Sequence, residues 1–276
     1  MTLHDDVLTL DGEYALTAAE IEHFREKGYV RLAGVLSAAE AAAYRQVIRD
    51  AALKHNRETR PLAERDTYGK AFLQVMNLWR VDEAVRQFVF SPRLAGIAAR
   101  LMQVDAVRLY HDQALFKEPG GGHTPWHQDQ YYWPLGDAAT VTLWMPLIDI
   151  SGEMGSMSFA EATHRHGFVS AGGQISDDSE AFFEEFVRSS RLPVSGGGAM
   201  AAGDATFHSG WTLHRAPGNV TDRTREVMTV IYYADGATVS PPANDNQEAD
   251  RQTWLDGIAA GHPAAGPLNP VLFPVG

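Results

Sequence analysis

The sequence predicts a mainly β protein with flanking helices, built on a jelly-roll core. Two patterns carry that expectation. Helical periodicity fills the first third of the chain, and alternating segments rich in β-branched and aromatic residues follow, with Gly-rich turns between them. Antiparallel strands with helices packed outside close most naturally as a sandwich or jelly-roll barrel. A third observation is local: the run from Thr124 to Trp133 holds His127 and Asp129 two positions apart in an aromatic, strand-like stretch. In an extended chain such residues point to the same side, so a nitrogen and an oxygen ligand can reach one point in space.

In order, Thr17 to Lys27 begins with a capping threonine and places Ile21 and Phe24 at helical spacing. Gly28 to Leu32 reads as a short strand. Ser37-Ala38-Ala39-Glu40 is a capping-box pattern, predicting a helix through the alanine-rich segment to about His55. Asn56 to Tyr68 is polar and predicts a loop. Phe72 to Trp79 is apolar, and helical patterns follow at Val81 to Phe90 and Pro92 to Met102. From Val107 the period becomes that of strands: Val107 to Lys117, Val141 to Leu147, Ser156 to Ala160 and Val227 to Tyr233. Ser176 to Ser190 predicts an amphipathic helix with its acidic face in water, and Asn246 to Leu255 a last short helix. The tail from Ala234 carries Trp254, Leu268, Val271, Leu272 and Phe273, so it is expected to wrap over the barrel and cover them. The expected organisation is one domain over residues 1–276: a helical part at about 15–105, the jelly-roll core at about 106–235 and a C-terminal wrap at about 236–276.

Composition narrows the function. Hydrophobic residues make up 45% and charged residues 21%, which are globular values. A formal charge of −12 argues against nucleic acid and anionic membrane as main partners. With no cysteine, disulfides, zinc fingers and iron–sulfur clusters are excluded, and a metal would have to be held by His, Asp or Glu. Met1 to Asp6 carries no basic segment followed by an apolar run, so a cytoplasmic protein acting on a small molecule is expected. Nothing in the sequence sets an oligomeric state.

A third ligand could come from His208 or His214, and spacing favours neither. Downstream, Arg225 falls on the next predicted strand, where it can face the same cavity as His214. A buried arginine needs an anionic partner, for which a carboxylate is the natural bidentate match. Gln113 and Lys117, on the strand before the histidine motif, are candidate pocket polar groups. Gly120 to Gly122 and Gly196 to Gly198 read as turns, because neither precedes a Lys-Ser/Thr and a helix. Asn219 reads as a backbone-organising residue. His111, His123, His164 and His166 read as surface or hydrogen-bonding histidines, the first two near the pocket mouth.

These residues resemble the phytanoyl-CoA dioxygenase-like branch of the iron(II)/2-oxoglutarate-dependent oxygenases, over about Glu22 to Tyr233. The anchors are Trp126-His127-Gln128-Asp129, Tyr131-Tyr132-Trp133, Leu143 to Leu147, Met154-Gly155-Ser156, Thr163-His164-Arg165 and His214 to Arg225. The resemblance implies the cupin-like, double-stranded β-helix form of the jelly roll. It also implies Fe(II) on His127, Asp129 and His214, with 2-oxoglutarate and O2 as cosubstrates at the positions the ligands leave open. Arg225 then pairs with the distal carboxylate and Trp144 packs beside the cosubstrate. Hydroxylation is the expected outcome. Cyclisation, desaturation or epimerisation, as in secondary-metabolite tailoring, arises from the same chemistry when the pocket positions the substrate differently. Met76, Trp79, Tyr132, Trp133 and Trp211 are the candidate substrate residues, and they fit a small or medium-sized metabolite better than an acyl-CoA.

Two departures stand out. Ala216 occupies a position where many relatives carry a hydroxyl for the cosubstrate, leaving Thr142 or Thr206 to replace it. The usual Pro-Gly-Ser/Thr-His turn reads Ala160-Glu161-Ala162-Thr163-His164. Asp129 argues against halogenating chemistry, which needs a small residue there. Alternatives to the oxygenase are a redox-inert metal enzyme on the same fold and a non-catalytic module that binds 2-oxoglutarate.

Overall fold

The computed structural model describes residues 10–136, 138–169 and 175–274, so the amino-terminal segment on which the cytoplasmic expectation rests lies outside the described residues. In chain order the strands are β1 (Tyr29–Leu32), β2 (Leu73–Met76), β3 (Val107–Lys117), β4 (Thr124–His127), β5 (Thr140–Pro146) and β6 (Ser158–Ala160). They continue as β7 (Val194–Gly196), β8 (Ala205–Ser209), β9 (His214–Ala216), β10 (Arg225–Ala234) and β11 (Val271–Phe273). The helices are α1 (Ala18–Lys27), α2 (Ala38–His55), α3 (Thr67–Ala71), α4 (Glu83–Val89), α5 (Pro92–Met102), α6 (Asp177–Ser189) and α7 (Asp245–Trp254). None of them is long and apolar enough to cross a membrane.

The helix starts follow from their caps. Thr17 with Glu20, and Ser37 with Glu40, form reciprocal capping boxes for α1 and α2. Asp82 accepts two backbone N–H groups at the start of α4, and Ser91 followed by Pro92 opens α5. Each such cap stabilises its helix by about 1 kcal/mol.

The strands form two antiparallel sheets. The major sheet runs β1-β8-β5-β10-β3-β11, with β2 also paired to β3, and the minor sheet runs β4-β9-β6-β7. This is the expected mainly β architecture with flanking helices. The sheet does not follow the three expected parts of the chain, because β1 and β2 come from the helical part and β11 from the tail. Alternation along β10 explains the layering. Met228, Val230 and Tyr232 join Leu143, Met145 and Phe207 in a core shared with Tyr44 and Ile48 of α2, Phe88 of α4 and Ile97 of α5. Val227, on the other face, packs with Trp144, Met157 and Ala216. One face of the major sheet is therefore covered by helices, and the opposite face turns toward the minor sheet.

Two expectations need correction. The acidic face of α6 does not simply meet water: Glu180 accepts the Trp126 N–H at 2.6 Å, and Glu184 accepts the Trp126 indole N–H at 2.8 Å and Arg215 at 2.6 Å. These bonds draw α6 onto β4 and β9. In the tail Leu272 is buried, but Val271 is 42% exposed because β11 is an edge strand whose residues alternate between core and solvent.

The turn after β6 contains a residue in an unfavourable conformation. Ala162 has φ 63° and its N–H donates to Lys27 O at 2.8 Å. The left-handed region costs an L-residue about 1–2 kcal/mol, whereas glycine adopts it freely at some entropic loss from the unfolded chain. Ala162→Gly should therefore raise stability by about 0.5–1 kcal/mol, read as an increased urea midpoint with an unchanged m-value.

Candidate active site

A cavity of about 370 Å³ lies between the sheets, and a single carboxylate is gripped from both of them. In the minor sheet His127 and His214 are direct cross-strand partners, with ring centroids 4.1 Å apart. The Nδ1 of His127 is 2.8 Å from Pro125 O, and that of His214 is 2.9 Å from Thr212 O. Because a carbonyl can only accept, each Nδ1 carries the proton and each Nε2 keeps its lone pair. Asp129 Oδ1 is 3.5 Å from His127 Nε2 and 3.6 Å from His214 Nε2. These three donors lie within 4.8 Å of one another, a separation that one metal ion can bridge.

The second oxygen of Asp129 belongs to the major sheet. Thr142 on β5 and His208 on β8 are themselves cross-strand partners. Thr142 Oγ1 donates to Oδ2 at 2.9 Å, and His208 Nε2 approaches it to 3.3 Å. His214, and not His208, is therefore in the converging donor set. The carboxylate reaches this place differently from the expectation: β4 ends at His127, and Asp129 opens a 3-10 turn, Asp129–Tyr131. Gln128 between them holds the turn, donating to Gly167 O and Trp211 O and accepting from Val169 N. Burial acts to raise the Asp129 carboxyl, yet the histidines around it hold it well below its ordinary value. Burial, and then the neighbouring His127, push His214 well below the usual imidazole range, which keeps it neutral as a metal ligand must be.

Along the barrel from the triad lies a cationic end. Arg225, 2% exposed, pairs in register with Lys117 across β10 and β3. Its Nη1 donates to Gly155 O, its Nε has no partner, and its guanidinium lies 5.4 Å from the Trp144 ring centroid. Among the described residues it has no ion pair with a carboxylate. Burial pushes it down to about 9. Lys117 is fully buried behind the cavity lining, and donates to Gly122 O and, at 3.4 Å, to Thr124 Oγ1. Burial, and secondarily the charge of Arg225, push it down to about 6. A buried guanidinium without an acid, beside a lysine that burial keeps from holding its proton, is costly unless an anion joins them, so this end is built for one.

Gln113, Met76, Tyr132, Trp133 and Trp144 all line the cavity. Trp79 and Trp211 do not. Asn77, at φ 52°, turns the chain after β2, and Trp79 packs on Phe90 beside Arg86 in the outer layer. Trp211 packs edge-on against Phe168. Thr142 lines the cavity and donates to Asp129, whereas Thr206 is buried without a partner outside the cavity lining. Thr124, which was not foreseen, lies directly opposite Ala216 in the β4–β9 register and lines the cavity. His111 is in the cavity wall, while His123 is exposed and outside it. Asp250 and Trp254 of α7 also line it, and their sequence context carried no signal beyond a helix in the tail. Asn219 organises the backbone as expected, donating to Lys117 O and Arg223 O.

A family model described as Phytanoyl-CoA dioxygenase (PhyH) matches residues 24–227. Among solved structures, the non-heme alpha ketoglutarate dependent carbocyclase SnoK from nogalamycin biosynthesis superposes with a TM-score of 0.77 at 27% identity, covering 94% of this chain and 99% of that one. The non-heme alpha ketoglutarate dependent epimerase SnoN from the same biosynthesis gives 0.73 at 25% identity, covering 92% and 97%. SnoN has been solved in complex with Fe3+, alpha ketoglutarate and nogalamycin RO. The methylphosphonate hydroxylase of Gimesia maris is 24% identical over 227 residues, 79% of this chain and 81% of its own.

Lys117 makes a pH prediction. Its folded value of about 6 lies below the ordinary 10.5, so the unfolded chain takes up a proton that the ligand-free folded chain excludes. The cost of burying it therefore grows as pH falls from about 10 to about 6, by up to about 1.4 kcal/mol per pH unit. Lys117→Met should stabilise the ligand-free protein, and by more at pH 7 than at pH 9 in chemical denaturation. An equal gain at both pH values would contradict the assignment.

Proposed function

The chain belongs to the phytanoyl-CoA dioxygenase family, a family of 2-oxoglutarate-dependent dioxygenases, and from that premise we propose that it oxidises a C–H bond of a small or medium-sized metabolite. His127 Nε2, Asp129 Oδ1 and His214 Nε2 would hold Fe(II), and Arg225 would take the distal carboxylate of 2-oxoglutarate. Iron bound there supplies dioxygen activation coupled to the oxidative decarboxylation of 2-oxoglutarate to succinate and CO2. The observation that carries the assignment of Arg225 is its burial beside Trp144 with no carboxylate partner.

Each remaining residue has a physical task in this reading. Thr142 and His208 occupy Oδ2 of Asp129, which leaves Oδ1 for the metal. Thr124 supplies across the strand pair the hydroxyl that Ala216 lacks, and Lys117 regains its proton when the carboxylate arrives. Trp144 and Met157 wall the cosubstrate end against water, which strengthens the charge pair formed there. The cavity volume suits a metabolite-sized substrate. Hydroxylation is the simplest outcome, and the likeness to a carbocyclase and an epimerase supports ring closure or epimerisation as further outcomes of the same centre.

The test is anaerobic addition of Fe(II) and 2-oxoglutarate to the apoprotein, read by the visible charge-transfer band of a chelated 2-oxo acid. The wild type should show the band. His214→Ala should lose it, whereas His208→Ala should keep a band of reduced intensity. Arg225→Ala should need about 30-fold or more 2-oxoglutarate for the same absorbance, since removing one partner of a desolvated charge pair costs about 2 kcal/mol or more. A wild-type protein that binds iron but shows no band would sink the cosubstrate assignment.

A further inference from the structure

The pocket has a second, chemically opposite end. β3 carries Lys117, Leu115, Gln113 and His111 on one face, and the last three line the cavity. At about 3.3 Å per residue, the strand separates the cationic end from His111 by about 20 Å. Beyond His111 the wall is completed by α7, through Asp250, Thr253 and Trp254. Asp250 Oδ2 accepts from Tyr110 OH at 3.0 Å. A carboxylate has about four acceptor sites, so this neutral donor leaves capacity free.

His111, 3% exposed, packs with its ring 5.0 Å from Tyr110 and 5.3 Å from Trp254, and its Nδ1 has no partner. Burial pushes it down to about 3, so the ring is neutral and offers no charge to Asp250. The arginines lining the cavity are Arg225, at the far end, and Arg215, already paired with Glu180 and Glu184. Among the described residues, the α7 end thus holds a carboxyl without a cation beside a neutral imidazole whose Nδ1 is buried.

We infer that this end is a substrate subsite for a hydrogen-bond donor, a hydroxyl or a protonated amine, received by Asp250 beside the neutral His111 ring. The rest of the substrate is apolar and lies against Tyr132, Trp133 and Trp254. Recognition of this kind selects against anionic substrates, since a carboxylate, phosphonate or CoA phosphate would face Asp250 without a counter-charge. The inference rests on the proposed function for the position of the reacting carbon, but the subsite itself is independent of iron.

Four probes of one shape test it: 2-naphthol, 2-naphthylmethylamine, 2-methoxynaphthalene and 2-naphthoate. Binding is measured by calorimetry at pH 8, where Asp250, raised to about 7 by burial, is ionised, with and without Fe(II) and 2-oxoglutarate. The alcohol and the amine should bind at least about tenfold tighter than the methyl ether, as expected for one charge-assisted hydrogen bond, with the naphthoate weakest. Asp250→Ala should level the four. Asp250→Asn, which keeps the shape and still accepts from Tyr110, should cost the amine more than the alcohol. Equal affinities in the wild type, preference for the naphthoate, a ranking unchanged in both variants, or no binding of any probe would overturn the inference. Loss of the charge-transfer band with the ranking intact would instead count against the iron and 2-oxoglutarate reading.

Discussion

The structure depends on how one carboxylate is divided. Asp129 presents Oδ1 to a histidine pair in the minor sheet and Oδ2 to a Thr–His pair in the major sheet, and both pairs are cross-strand neighbours. Strand pairing fixes such neighbours within about 5 Å, so each pair is positioned by backbone hydrogen bonds, not by side-chain freedom. The carboxylate bridges the two layers, as the Lys117–Thr124 hydrogen bond does farther along the barrel. The Thr142 hydroxyl donates to the carboxylate, and its orientation is set before any ligand arrives.

The same sheet geometry arranges charge along the cavity. Arg225 and Lys117 face each other at one end of the β3–β10 pair, the triad lies along the barrel from them, and Asp250 with His111 closes the other end. Among the described residues, neither Arg225 nor Asp250 is neutralised by a residue of opposite sign. Burying charge in this way is unfavourable for the empty protein and favourable for the occupied one, which is how a fold gives up stability for binding.

Much of this was legible in the sequence, because residue type and short spacing carry it. His127, Asp129, His214 and Arg225 stand out by chemistry, and the capping boxes of α1 and α2 by pattern. What could not be read depends on register. The contact of His208 with Asp129 arises from the β5–β8 pairing, and the placement of Thr124 opposite Ala216 from a bulged β4–β9 pair. Strands of three residues, such as β7 and β9, are too short to show alternation. Trp79 and Trp211 misled because aromatic character says nothing about which way a turn sends the side chain. Asp250 was hidden because a helix in a tail gives no sign of what it packs against.

The segment that matches the family ends at residue 227, inside β10, and α7 lies beyond it. The His127–Asp129–His214 triad and Arg225 therefore come from the shared segment, while one wall of the cavity comes from outside it. Variation can act on that wall without touching the triad or Arg225. A lineage could acquire a new substrate by changing its carboxy-terminal tail, with the chemistry inherited unchanged.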